Sequence, residues 1–375
     1  MNSTICLLPS ALGYPRGGGQ LWVYLNWALG LRDLGCEVIW LELVWPDYAV
    51  EDVRAKLLSL RKQLAQYGFA EHLAIESMNG DRLPEEISGE CLSFDDAAEA
   101  ELLLDLQYRA GPGTLRRFRR TAQIDIDPGL LQIWHTKGQV KFAPHDVYFS
   151  IGETVGQSGA RFPDCGVQWH YTPPPVFLPA WPVIKAPDGA AYTTIAHWYY
   201  GEMEWNGEIF NNDKRTSFLE FLDLPEQTAA KLELALCLGE NSKEPQIWER
   251  RGWRVRNSWD VSATPADYQQ YIRQSRGEFS CAKPSCMRLQ NAWISDRTLC
   301  YLASGKPAIV QDTGRSRFLP DAEGLFRFRT AAEAVAALAT VQDDYENQCA
   351  LARGLAEEYF NATKVVQGVL EIALT

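Results

Sequence analysis

The chain has no Cys-x-x-Cys pair, no His-Glu-x-x-His and no cluster of Cys and His at metal-ligand spacing. Its nine cysteines stand singly, an odd number spread along the sequence. A disulfide framework or a structural zinc site would pair or cluster them, so reduced thiols and a cytoplasmic setting are expected. Cys281 and Cys286 come nearest to a pair, and their spacing is read as incidental. Long apolar runs are missing too. No segment offers the ~18 uninterrupted apolar residues of a spanning helix. The first residues carry no basic group ahead of their short apolar run, so no secretory leader is expected. Positive charge is the third shortage: 36 Lys and Arg stand against 48 Asp and Glu, a net charge of −12. Neutralising a phosphate backbone needs Lys and Arg in excess, so no nucleic-acid partner is expected. Arg116-Arg-Phe-Arg-Arg120 is one local exception, read as a solvated face or loop.

What is present is a globular composition, 46% apolar and 22% charged, in 375 residues that suit two domains. The first opens with a strand at Ile5–Leu8 and a loop from Pro9 to Gly19 that carries Gly17, Gly18 and Gly19. Leu21, Tyr24, Leu25, Ala28, Leu29 and Leu31 follow at helical spacing, and Glu37–Leu43 is the next strand. This βαβ unit with a Gly-rich first turn predicts a doubly wound parallel sheet. It does not complete a dinucleotide fingerprint, because Trp22 fills the place of the small third residue. Further strands are expected near 102–106, 121–126 and 146–151. Five prolines between Tyr171 and Pro182 then make a stiff connector. The expected division is an N-terminal Rossmann-like domain at 1–172, a Pro-rich linker at 173–190, a C-terminal Rossmann-like domain at 191–342 and C-terminal helices at 343–375. Strands of the second domain are expected near 192–196, 232–236, 253–255, 278–280 and 308–310.

The stretch from Trp293 to Gly314 is the most informative. Ser295 suits a helix N-cap, its oxygen placed to accept from the amide of Arg297 or Thr298. Gly305 suits the C-terminal end, and Pro307 bars continuation. Ala308–Val310 reads as a buried strand, with Gln311–Gly314 at its carboxyl end, the side where open α/β sheets bind ligands. A helix N-terminus there, with Arg297 in its first turn, suits a diphosphate. The run Arg297…Tyr301-Leu-Ala-Ser-Gly-Lys-Pro-Ala-Ile-Val310 resembles the donor-binding segment of GT-B glycosyltransferases, especially the family-four type and its spore-coat (CgeB-like) relatives. The resemblance implies an α/β fold of two Rossmann-like domains facing across a cleft, with a last helix crossing back to the first. It also implies a nucleotide-diphosphate sugar, a UDP-sugar foremost, as co-substrate, with no bound cofactor and no metal. Where that family usually carries a Glu on the ribose, this chain has Cys300, and the partner Glu eight residues earlier falls at Ala292.

Such a transfer puts negative charge on a leaving diphosphate and takes a proton from an acceptor hydroxyl. Candidates for the diphosphate are Lys214, which resembles the family's phosphate lysine, Lys283, and the helix start Ser295, Asp296, Arg297 and Thr298. Cys300, Asp312, Thr313 and Gly314 are the candidates for ribose and donor sugar, and Gly17, Gly18 and Gly19 for a cleft-facing loop. For the base, Asp125 and Asp127 alternate onto one face at a strand's end, although Asp127 also suits the shaping of an Asp-Pro-Gly turn. His135, His145, His170 and His197 are alternatives, and His197 heads an aromatic cluster. Trp198, Trp205 and Trp293 offer ring faces to a sugar or base, with core packing the commoner use of tryptophan. The expected function is hexose transfer from a nucleotide sugar to an unidentified acceptor. A noncatalytic nucleotide- or sugar-binding protein of the same fold, and a nucleotide-sugar epimerase, stay open.

Overall fold

A computed structural model describes residues 3–45, 47–239 and 242–375. The chain divides into unit 1 (Met1–Ser158, Phe162–Phe177 and Ala362–Thr375) and unit 2 (Gly159–Arg161 and Leu178–Asn361).

The strands of unit 1 are β1 (Thr4–Leu8), β2 (Glu37–Val44), β3 (Leu73–Ser77), β4 (Leu102–Asp105), β5 (Thr121–Asp125), β6 (Val147–Ser150) and β7 (Trp169–Tyr171). They make one parallel sheet in the order β3-β2-β1-β4-β5-β6-β7. Its helices are α1 (Gly18–Asp33), α2 (Val50–Ala65), α3 (Glu85–Ser88), α4 (Phe94–Ala98), α5 (Pro112–Leu115), α6 (Leu130–Thr136) and, from the far end of the chain, α15 (Ala362–Ala373). The glycine loop is shorter than expected: Gly17 is the N-cap of α1, and Gly18 and Gly19 already belong to its first turn.

α1 is buried on every side, with Leu21, Trp22, Trp27 and Leu31 all enclosed, where the spacing predicts a single apolar stripe. α15 supplies the second cover. A Cβ at Gly30 would come within 2.9 Å of the Ala362 side chain, so only glycine lets the two helices approach this closely. Asn26 adds a tether by accepting from the Phe177 amide at 3.0 Å.

Unit 2 has β8 (Tyr192–His197), a hairpin of β9 (Glu202–Trp205) and β10 (Glu208–Asn211), then β11 (Leu232–Cys237), β12 (Arg254–Asn257), β13 (Gly277–Ser280), β14 (Ala308–Gln311) and β15 (Leu325–Phe328). The six strands outside the hairpin form a parallel sheet in the order β12-β11-β8-β13-β14-β15. Its helices are α7 (Lys214–Leu219), α8 (Glu244–Glu249), α9 (Ser258–Ser262), α10 (Pro265–Gln274), α11 (Pro284–Leu289), α12 (Asp296–Ala303), α13 (Ala331–Asp343) and α14 (Tyr345–Tyr359). Caps follow local chemistry. Asp213 accepts from the Thr216 amide at 2.7 Å to start α7, and Gly305 takes a φ of +65° after α12. Trp198, Phe218, Trp248, Trp253, Phe279 and Phe328 pack together with ring centroids 5.1–6.3 Å apart. Trp198 is thus a core residue and not a sugar platform.

Each sheet begins in its middle. The chain winds outward from β1 to β2 and β3, then returns to β4 on the other side of β1; β8, β11, β12 and β13 repeat the pattern. The carboxyl ends of β1 and β4, and of β8 and β13, are therefore the topological switch points where this architecture places ligands. Among the described residues, no helix is long and apolar enough to cross a membrane.

Candidate functional site

In unit 2 the loops after β8, β13 and β14 are stitched together at the switch. Lys214, the first residue of α7, donates from Nζ to the Cys281 carbonyl just beyond β13. Asn212 accepts from the Ser285 amide at 2.9 Å, and Gln311 accepts from the Ala282 amide at 3.0 Å. Lys214 is almost sealed from solvent, and burial, with Arg297 nearby, brings its pKa down to about 7. Its bonded partner is the Cys281 carbonyl and not a carboxylate, and Glu278 acts on it through space only. Lys283 lies beside it in sequence terms only two residues past Cys281, with Nζ 4.2 Å from the centre of the exposed Tyr200 ring. Burial and the Lys283 charge push the His197 pKa down, which favours the neutral imidazole at the end of β8.

Other expected residues are placed differently. Arg297 does not present its guanidinium to a ligand at the start of α12. Nε and Nη2 bond Glu278 Oε1 and Ser280 Oγ at 2.7 and 2.6 Å, and Nη1 bonds the Ile195 carbonyl at 3.0 Å. A carboxylate in the middle of the buried strand β13 needs a cation, and Arg297 is that cation. Ser295 occupies the N-cap position of α12 but makes no side-chain cap bond; Asp296 is half-buried and Thr298 buried. Cys300 is also buried, its thiol directed to the Asp296 carbonyl at 3.4 Å, so it does not reach outward to a ribose.

The loop after β14 is braced internally. Asp312 accepts from the Gly314 amide at 2.9 Å and pairs with Arg329; Thr313 donates to the Trp293 carbonyl at 2.6 Å. Gly314 takes a φ of +125° against the backbone of Gln290, where a Cβ would sit 3.0 Å from the carbonyl oxygen. Asn212, Tyr200, Glu278 and Gln311 were not singled out from sequence. Glu278 carried a usable signal, since an acid inside a strand otherwise fit for burial demands a partner.

At the switch of unit 1 the buried groups are acidic. Glu42 accepts from the amides of Ala11 and Leu12 at 3.0 and 3.1 Å and from the Trp40 indole at 2.9 Å. These bonds fix the loop after β1, and burial raises the Glu42 pKa to about 7 against their opposing effect. Asp105 accepts from the Gln107 amide at 2.8 Å and meets His145 Nε2 at 3.2 Å. Asp125 accepts from Gln132, Ser150 and the Asp127 amide at 2.8, 2.8 and 3.0 Å, and burial raises its pKa to about 7. Asp125 is fully enclosed, a turn-holding carboxylate rather than a base open to substrate. Asp127 is only partly buried and accepts from the Tyr108 hydroxyl at 2.9 Å. Of the two, Asp127 is the one partly open to solvent.

No protein-family model matches the chain, and no curated protein sequence does. Solved structures match it over its full length. An α-glucosyltransferase in complex with UDP and a 13-mer DNA containing an HMU base shares 10% identity at a TM-score of 0.63, covering 100% of both chains. The α-glucosyltransferase AGT in complex with UDP gives 11% and 0.62 over 100% of both chains. HepE of Anabaena in complex with UDP-glucose gives 12% and 0.58 over 99% of each. At these identities the likeness establishes the fold: the chain has the two-domain α/β architecture of these glycosyltransferases.

Proposed function

We propose that the chain transfers a hexose from a UDP-sugar to an acceptor hydroxyl, with the donor diphosphate at the carboxyl ends of β8 and β13. Buried Lys214 carries this reading: it is an amine held at a switch point, and among the described residues no carboxylate is bonded to it. Lys283 and the start of α12 are the further phosphate contacts, and the loop Asp312–Gly314 borders the sugar. Arg297 acts beneath the site by holding Glu278. Asp127 is proposed as the base and unit 1 as the acceptor domain, 173–190 serving as the linker. The neighbours' UDP and UDP-glucose support the donor class. A CgeB-like, metal-independent, cytoplasmic enzyme is the finer form of this proposal. The net charge of −12 favours an acceptor other than DNA, although one neighbour was solved with it.

The test is calorimetric titration of UDP against uridine, followed by UDP-glucose turnover. UDP is expected to bind much more tightly than uridine, an advantage that Lys214→Met reduces. Cys300 and Ala292, where the family's glutamates would stand, favour a second reading in which the donor binds without transfer. UDP binding without consumption of any UDP-sugar would select it.

A further inference from the structure

Unit 1 leaves two aromatic rings open to solvent, and each follows a strand beside the switch. Tyr14, after β1, is 57% exposed, and Trp45, directly after β2, is 52% exposed. No other aromatic residue among the described residues of that unit is as open. The exposed guanidinium of Arg109, in the loop after β4, lies 4.5 Å from the centre of the Trp45 ring. Among the described residues no carboxylate pairs with it. These loops are held in place from beneath. Glu42 grips the amides of Ala11 and Leu12, Tyr14 accepts from the Gly17 amide at 2.9 Å, and Tyr108, next to Arg109, bonds Asp127. A small recess between the β1 loop and α2 is lined by Leu12, Tyr14, Pro15, Lys56 and Gln63.

We infer that this edge of unit 1 binds an anionic saccharide. An indole and a phenol present flat faces suited to the C–H face of a pyranose, while a guanidinium forks onto a carboxylate, sulfate or phosphate. A neutral sugar would use the rings and leave Arg109 idle. A simple anion would use Arg109 and leave the rings idle. A sugar that carries a negative group engages both. The name acceptor for this ligand rests on the proposed transfer, because Asp127 is bonded to the same β4 loop; the binding site itself does not.

The experiment titrates the full-length chain with a glucuronate-containing disaccharide, its neutral glucose counterpart, and sulfated and phosphorylated versions, with UDP measured alongside. An anionic disaccharide should bind about tenfold more tightly than the neutral one, the worth of one charge-assisted contact. Trp45→Ala should weaken both kinds of ligand. Arg109→Ala should erase the preference and leave neutral binding unchanged, and since both side chains are exposed each variant should keep the wild-type circular dichroism. A preference for sulfate or phosphate over uronate upholds the class and names the group. Equal affinity for acidic and neutral sugars, wild-type binding by both variants, or no saccharide binding at all overturns the inference. UDP binding with no saccharide binding sinks this site alone. Saccharide binding without UDP binding upholds the site and removes the transferase reading.

Discussion

Near its switch point unit 1 buries the carboxylates Glu42, Asp105 and Asp125, while unit 2 buries Lys214 and sets the half-buried Arg297 against the buried Glu278. The sheets wind alike, so topology does not set this difference. It lies in how each charge is answered. In unit 1, backbone amides, an indole, a glutamine and a serine converge on the acids, and the loops they come from are thereby fixed. In unit 2, Arg297 is bonded by Glu278 and Ser280, but among the described residues the hydrogen-bond partner of Lys214 is a carbonyl, with the Glu278 charge acting through space. Buried charge serves as a scaffold where it is fully bonded, and the proposed phosphate site is where it is not.

That contrast can be broken most forcefully at Arg297. Arg297→Ala leaves Glu278 buried without its cation and should cost unit 2 about 3–5 kcal/mol in denaturant unfolding. Pairing it with Glu278→Gln should recover much of the loss. An Arg297→Ala protein as stable as wild type would mean the pair carries no structural role.

The acids of unit 1 should show a pH dependence of opposite origin. Folded-state pKa values of Asp125 and Glu42 stand near 7, above the ordinary carboxylate range, so folding favours their protonated forms. Their contribution is whole below about pH 4 and fades as pH climbs through about 7, on the order of 3 kcal/mol for each group. Asp125→Asn should flatten that part of the profile, measured as unfolding free energy against pH. An unchanged slope would deny the burial of its charge.

Lys214→Met should weaken UDP about ten- to a hundredfold in calorimetry while sparing uridine. Parallel losses for both ligands would take Lys214 away from the phosphates. The smallest effect is the pH dependence of UDP affinity. Lys214 is depressed to about 7, so its protonated fraction declines above that pH, and UDP affinity should decline with it by at most about tenfold per pH unit. Lys214→Met should lose this part of the dependence, and a wild-type affinity that rises with pH would contradict the assignment.

Much of the architecture was legible because the central strands are short apolar runs closed by polar turns, as in Ile5–Leu8, Leu102–Asp105 and Ala308–Gln311. Strands that break the pattern were not. β3 carries Glu76, β15 carries Arg327, and β7 has only three residues, so none shows an apolar run of ordinary length. The β9–β10 hairpin alternates glutamates with Met203 and Trp205 and reads as a polar loop. At the site, Lys214 could be found from its place after β8 and the Asp213 cap. The fate of Arg297 could not, because its partners Glu278 and Ser280 stand 19 and 17 positions away on another strand. Helical position alone does not tell whether a first-turn cation faces a ligand or an acid in the neighbouring strand.

The fit of Gly30 against Ala362 also bears on how the chain is made. The ribosome releases α1 well before α15, the helix that covers its second apolar side, which follows the whole of unit 2, some 185 residues after Phe177. At ordinary elongation rates that is a wait of roughly ten to forty seconds. Through that interval nascent unit 1 carries Trp27 and Leu31 on a helix whose cover is incomplete, the kind of surface that chaperones hold until the covering helix emerges.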